Sequence, residues 1–177
     1  RLAAFITEEG EREQALALYE RAAAAAQKAG EKPSAASVFT DMEMGRLYFT
    51  VNALDEAARR GARLAAVCNI SDPVILQRAI FNAAGDAGTS QLITDLTTSN
   101  LVLTYLDANG ALVANPGDTS GVTGFRAIRY VQLSLQNFVF NLFIPGFGVP
   151  ITLPTFRATL PRESLGRHSD SGEITPC

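Results

Sequence analysis

The chain has 177 residues, 47% of them hydrophobic, and a formal net charge of -3 at pH 7. This length suits one domain with a helical appendage, and the apolar fraction suffices for a hydrophobic core. The arginines are mixed with acidic residues, so the sequence shows no basic patch that would bind a nucleic acid. Two cysteines are too few for a disulfide scaffold or a cysteine-based metal site.

The first segment, residues 1–40, predicts a soluble helix. From Thr7 to Gly30 the chain is rich in Ala, Glu, Gln, Leu and Arg, which are strong helix formers. Gly30 and Pro33 then end this helix. No window of the chain is apolar over the length of about 20 residues that a membrane-spanning helix needs. Thr40 and Glu43 have the spacing of a capping box, which predicts the start of the next helix.

Residues 43–66 predict one amphipathic helix. Its apolar side recurs at helical spacing and comprises Met44, Leu47, Val51, Leu54, Ala58, Ala62 and Ala65. Its polar side comprises Glu43, Thr50, Glu56, Arg59, Arg60 and Arg63. We expect the three arginines to form a solvated face, with binding of lipid headgroups or of an acidic partner as the alternative.

A second, shorter helix is predicted next. Asp72 suits an N-cap, Pro73 suits the first helical position, and Gly85 is expected to end the helix. The sequence leaves open whether Cys68 and Cys177 form a disulfide. We favour an interpretation of Cys68 as a small buried hydrophobic residue and of Cys177 as a free terminal thiol.

Apolar residues with a period of two begin after the second helix and predict strands. The first strand is expected at 101–106, followed by a tight turn at Asn109-Gly110 and a hairpin partner at 112–113. A calcium site at Asp107 is disfavoured, because the loop lacks the further ligands of an EF-hand. Hairpin connections of this kind favour antiparallel pairing.

Further extended segments are predicted at 127–136, 138–144 and 151–160, with a loop at 115–124. In the first of them, alternation with one slip of phase places the following residues in the core: Ile128, Tyr130, Val131, Leu133 and Leu135.

No group of residues in the sequence predicts chemistry. The single histidine, His168, lies in the polar segment 166–177, which we expect to be a flexible tail. This position argues against a histidine-paired nucleophile and against a His/Cys metal site. We therefore expect no enzymatic activity, no cofactor and no metal.

Two separated segments resemble the TadE-like family, the pilin-like subunits of bacterial tight-adherence pilus systems. One contains Glu43-Met-Gly-Arg46, Asn52-Ala-Leu54 and Ala57-Ala-Arg-Arg-Gly-Ala-Arg63, and the other is Leu160-Pro-Arg-Glu-Ser-Leu165. In that family a tetrapeptide similar to Glu-Phe-Gly-Arg closes an apolar membrane helix. Here the segment before the tetrapeptide contains many charged residues. We expect either a processed or engineered piece, with a soluble helix in place of the anchor, or a natural variant whose first helix packs on its own globular part.

An α+β, pilin-like fold is expected, in which a long helix packs on a small antiparallel sheet. Residues 1–40 would be the soluble helical segment, 41–165 the TadE-type domain and 166–177 the tail. The resemblance implies a non-enzymatic assembly subunit, a pseudopilin or minor pilin, in the bacterial cell envelope or the extracellular pilus. Its implied partners are other pilin-like subunits, the pilus assembly machinery and the inner membrane, the last through an anchor outside this chain.

The residues expected to make these contacts are Glu43, Met44, Arg46, Leu47, Val51, Leu54, Arg59 and Arg63. The apolar members among them would contact either the sheet or a neighbouring subunit. The alternative function is a periplasmic or secreted module that binds a carbohydrate or a peptide. Its groove would be lined by Phe138, Phe140, Phe143, Phe147 and Phe156, although aromatic runs of this spacing lie more often in a core.

Overall fold

The computed structural model describes residues 35–86, 88–143, 150–168, 170–175 and 177. The helix predicted between residues 7 and 30 lies outside them. The chain divides into two compact units, Arg1–Asp41 and Met42–Cys177. The second unit is α+β, with a long helix packed on a small antiparallel sheet.

Helix α1 extends over Ala35–Val67, a length of 33 residues. Because Thr40 and Glu43 lie inside this helix, the predicted capping box is wrong. Along its second half, small side chains face the core, namely Ala53, Ala57, Ala58, Ala62, Ala65 and Ala66. Together with Leu54 they confirm the predicted apolar side from that residue onward. Among the described residues, no helix combines the length and the apolar character that crossing a membrane requires.

Helix α2 is short and extends over Pro73–Ala79. It begins as predicted, because the carboxylate of the N-cap Asp72 accepts a hydrogen bond from the Val74 N–H at 2.9 Å. It ends earlier than the predicted Gly85. The chain leaves the helix after Ala79, and Phe81 adopts a positive φ of 68°, which no helical residue has.

The described strands are β1 (Leu101–Leu106), β2 (Tyr130–Leu135), β3 (Val139–Asn141), β4 (Pro150–Thr152) and β5 (Phe156–Pro161). Strands β1, β2 and β5 form a three-stranded sheet with β2 in the centre, and β3 pairs with β4. All of these pairs are antiparallel, which confirms the predicted pairing. In the central strand, Leu133 lies opposite Leu103 on one side and Ala158 on the other.

The predicted hairpin after β1 forms, as a tight turn followed by a short antiparallel pairing. The Asp107 carboxylate accepts hydrogen bonds from the backbone N–H groups of Asn109 and Ala111, at 2.8 and 2.9 Å. Leu112 forms an antiparallel bridge with Leu106, and the Val113 N–H donates to the Tyr105 carbonyl at 2.9 Å. This pairing is short, whereas β2 pairs with β1 along its whole length.

The predicted phase slip at β2 is confirmed. Ile128 is buried before the strand begins, and Val131, Leu133 and Leu135 are buried within it. Tyr130 is exposed, so its predicted place in the core is wrong. It alternates with Val131 and therefore points to the opposite face of the strand.

Close packing of α1 on the sheet depends on Gly61. A Cβ atom at this position would overlap the Leu133 side chain of β2 and would lie 2.9 Å from the Cβ atom of Ala79 in α2. The absence of a side chain therefore lets α1, α2 and β2 meet at one point. The small residues around Gly61 extend this close contact along the helix.

The C-terminal segment packs on the end of α1. The last carbonyl groups of a helix have no partner within the helix. Here the Ala66 carbonyl accepts from the Leu165 N–H at 3.1 Å, and the Val67 carbonyl accepts from the Gly166 N–H at 2.7 Å. Gly166 has a positive φ of 68°, and a Cβ atom there would overlap the backbone of Asn69. Only glycine fits this position without a shift of the chain.

Cys68 and Cys177 form a disulfide, with Cα atoms 5.1 Å apart. The interpretation of Cys177 as a free thiol is therefore wrong. A bridge between Arg167 and Ile174 adds a further contact within this segment. Flexibility of 166–177 stays a prediction, but the described residues in it have fixed partners. The disulfide joins residues 109 positions apart, and local sequence patterns do not report such a contact.

We predict that Gly61→Ala lowers the free energy of unfolding by about 1–3 kcal/mol, because the added methyl group overpacks the contact with Leu133. Chemical denaturation measures this change. Gly45→Ala is the matched control, since a Cβ atom at Gly45 meets no described atom within 4 Å. It should stabilise the helix by about 0.5–1 kcal/mol. Equal stabilisation by both substitutions would contradict the close contact.

We also predict that Cys177→Ser lowers the free energy of unfolding by about 2–4 kcal/mol, because the disulfide restricts the unfolded chain over a long loop. Urea denaturation of the oxidised proteins measures the difference. Reduced wild-type protein should match the variant. A loss below about 0.5 kcal/mol, as for an ordinary surface substitution, would show that the bond contributes little.

Candidate interaction surface on the long helix

The Glu43 and Arg46 side chains attach α1 to the chain around β3. Arg46 Nη2 donates to Glu43 Oε2 at 2.7 Å, and the same carboxylate oxygen accepts from the Phe143 N–H at 3.2 Å. Arg46 also donates to the carbonyl of Asn141. Its guanidinium carbon lies 4.2 and 4.1 Å from the ring centres of Phe140 and Phe143, within the range of cation–π attraction. We call these five residues the clasp.

Hydrogen bonding in the clasp holds two polar residues out of solvent. Glu43 is only 9% exposed, and the hydrogen bond from Arg46 lowers its pKa. Desolvation opposes this shift, while the Phe143 N–H and the Arg46 charge reinforce it. Thr50 is also buried, and its hydroxyl donates to the Arg46 carbonyl at 2.8 Å. The prediction of a solvent-facing Glu43 and Thr50 is therefore wrong, because both side chains find partners inside.

The apolar residues predicted for interaction divide between two environments. Leu54 is fully buried, and Leu47 and Val51 pack against the same core in half-buried positions. These three residues therefore pack on the core that α1 shares with the strands of the same chain. Met44, in contrast, is 42% exposed. Its place in the predicted apolar side does not lead to burial.

A second apolar side of α1 was not predicted. It consists of Met42, Tyr48 and Phe49, which are 64%, 61% and 53% exposed, and of Gly45 between them. We call these four residues the outer face. Their spacing of three and four places them on the side of the helix away from Leu54. The same spacing is visible in the sequence, where Met42, Tyr48 and Phe49 form a second apolar side beside the predicted one. Val38 and Phe39, which precede the second compact unit in sequence, are exposed as well.

The predicted arginines on α1 are solvated and paired with acidic residues of the same helix. Arg59 pairs with Asp55 at 2.8 Å and with Glu56 at 3.1 Å, and Arg63 lies 3.8 Å from Glu56. Exposed pairs of this kind contribute little to stability. Arg60, the third arginine, lies near the Phe81 ring. The charge of Arg59 and Arg63 is thus largely balanced locally.

The four described phenylalanines of the alternative groove do not share one surface. Phe138, Phe140 and Phe156 are buried in the core, and Phe143 is exposed beside Arg46. Phe147 lies outside the described residues. Within the described part of the chain, no three His, Cys, Asp or Glu side chains come together as a metal site would require.

Comparisons with protein-family models, curated proteins and solved structures found no match to this chain.

We predict that the clasp makes stability sensitive to acid. Because the folded pKa of Glu43 is lowered, its ionised form stabilises the fold above the unfolded value of about 4.3, and this contribution is lost as pH falls through the folded pKa. Unfolding measured between about pH 6 and pH 3 should therefore show a smaller decline for Glu43→Gln than for the wild type.

The matched control is Glu163→Gln, which removes an exposed carboxyl outside the clasp. The stability of this variant should decline with falling pH as that of the wild type does. If Glu43→Gln and the wild type declined in parallel, the hydrogen bonds to the Glu43 carboxylate would not contribute to stability.

Proposed function

We propose that this protein is an assembly subunit of pilin-like fold, a pseudopilin or minor pilin of a bacterial tight-adherence pilus system. The observation that supports this proposal is the outer face of α1. Met42, Tyr48 and Phe49 are exposed around Gly45 on one side of the helix. Large apolar side chains that are contiguous and exposed mark a protein contact more often than a free surface.

Gly45 favours a second helix as the occupant of the outer face. Glycine inside a helix costs about 1 kcal/mol relative to alanine. Gly61 offsets this cost through close packing, whereas Gly45 has no described neighbour within 4 Å of its missing side chain. A glycine among larger apolar residues lets the backbone of another helix approach closely. Contact with a second subunit would give Gly45 the role that Gly61 has inside the fold.

The inner side of α1 is occupied by the subunit's own sheet. Leu47, Val51 and Leu54 pack on the core, and the clasp fixes the helix beside β3. Within the described part of the chain, this arrangement leaves the outer face uncovered. The same helix would therefore join its own sheet on one side and a neighbouring subunit on the other.

The segments that resemble the TadE-like family have structural roles in this chain. The tetrapeptide at 43–46 supplies two residues of the clasp, Glu43 and Arg46. Gly61 sets the helix–sheet distance, and the residues after Pro161 meet the end of α1. The disulfide agrees with an oxidising compartment such as the bacterial envelope. We propose that the partners are other pilin-like subunits and the pilus assembly machinery, at the inner membrane or in the extracellular pilus.

Photocrosslinking from the outer face tests this proposal. A photoreactive amino acid replaces Phe49 in the full chain, expressed in the bacterium that encodes it, and adducts from irradiated envelopes are identified by mass spectrometry. We expect pilin-like subunits or pilus assembly proteins. Val122, exposed in a loop, is the control position and should give no such adduct. Adducts with unrelated envelope proteins, or bound glycans without a pilus component, would favour the periplasmic binding module.

We predict that Gly45→Leu removes these adducts without unfolding the subunit. A Cβ atom at Gly45 meets no described atom within 4 Å and its neighbours Tyr48 and Phe49 are exposed, so the melting temperature should not fall. The leucine side chain would block the close approach of a second helix, so crosslinking from position 49 should be lost. Retained crosslinking would contradict a contact centred on Gly45.

A further inference from the structure

An open cleft of about 640 Å³ lies where the C-terminal segment meets the short turn Phe125–Ala127. Its lining combines cationic, hydroxyl and aromatic groups, and comprises Phe125, Arg162, Ser164, Arg167, His168, Gly172 and Thr175. The cleft lies at the opposite end of α1 from the outer face. None of its residues belongs to the proposed assembly surface.

Arg162 and Arg167 both lie close to the Phe125 ring. Their guanidinium carbons are 5.4 and 5.0 Å from the ring centre. Arg162 Nη1 donates to the Phe125 carbonyl at 2.9 Å, and Arg167 Nη1 donates to the Gly172 carbonyl at 3.4 Å. These contacts orient both side chains but use few of the five N–H donors that each guanidinium carries.

Among the described residues, the cleft arginines lack ion pairs like those of Arg59 and Arg63 on α1. The ion pairs between described residues involve Arg46, Arg59 and Arg63, and none involves Arg162 or Arg167. The Nε atom of Arg167 is buried without a hydrogen-bond partner among the described residues. Burial lowers the pKa of Arg162, and the nearby charge of Arg129 adds to this effect. A bound anion would offset both the desolvation of Arg162 and its repulsion by Arg129.

The chain folds so that this charge collects at one place. Arg162 follows β5, and Arg167 follows the Leu165 and Gly166 contacts with the end of α1. Thr175 also lines the cleft, and its N–H donates to the Gly166 carbonyl at 2.8 Å. The disulfide of Cys177 lies two residues further on. The cleft is therefore built from segments that the tertiary structure holds in position.

We propose that this cleft is a binding site for a phosphate group, either as free phosphate or a soluble phosphate monoester, or as the headgroup phosphate of a lipid. Two guanidinium groups present the planar forked donors that match phosphate oxygens. Ser164 and Thr175 place hydroxyl groups at the same cleft. The chemistry common to these sources is a tetrahedral oxyanion.

Calorimetric titration of the full, oxidised chain with inorganic phosphate and with glycerol phosphate tests the site. We expect saturable binding of one phosphate per chain. Arg162→Gln and Arg167→Gln should each weaken binding about tenfold, since each removes a charge-assisted hydrogen bond. Arg59→Gln is the matched control, because it removes one exposed arginine from α1, and it should bind as the wild type does. Circular dichroism and melting temperature verify that each variant is folded.

Arg167→Lys keeps the charge but loses the forked donor geometry, and we expect its affinity to lie between those of the wild type and Arg167→Gln. Cosedimentation with vesicles of phosphatidylglycerol, compared with neutral phosphatidylcholine, separates the two sources. Binding to the anionic vesicles that both glutamine variants lose would identify a lipid headgroup. Phosphate binding without vesicle binding would identify a soluble phosphate compound. Absence of binding to any probe, or an equal loss in Arg59→Gln, would overturn the proposal.

Discussion

The close contact of α1 with β2 at Gly61 is the constraint on which the rest of this structure depends. Because Gly61 has no side chain, Leu133 of the central strand and Ala79 of α2 occupy the space beside the helix backbone. The buried alanines around it keep the helix and the sheet at the same short distance. With α1 fixed in this way, its inner and outer sides are determined, and so is the place where its C-terminal end emerges.

The C-terminal end of α1 then organises the last part of the chain. Its unpaired carbonyl groups attract the backbone N–H groups of Leu165 and Gly166, and the disulfide holds the terminus beside it. These contacts bring Arg167 toward Phe125, which lies far from it in sequence. Helix capping, disulfide formation and the collection of positive charge are therefore consequences of one arrangement. A segment that is polar and glycine-containing in sequence acquires defined partners only through the tertiary structure.

Local patterns predicted what depends on local structure. The N-cap at Asp72, the strand at 101–106 and the buried side of α1 after Leu54 all follow from spacing and residue type. The errors concern partners that are distant in sequence. Glu43 is buried because Phe143 donates to it, and Cys177 is bonded to Cys68, which lies 109 positions before it. The outer face lies on the same helix as the predicted apolar side, and only the tertiary structure shows which of the two sides the core covers.

The two proposed sites are compatible because α1 separates them. An α-helix rises about 1.5 Å per residue, so Phe49 and the helix end at Val67 lie about 27 Å apart along the axis. A subunit docked on the outer face near Gly45 need not cover Phe125 or Arg162. The clasp holds the helix at Arg46, and the disulfide region holds its C-terminal end. A helix held at these two places would thus present an apolar contact and a cationic cleft at a constant separation.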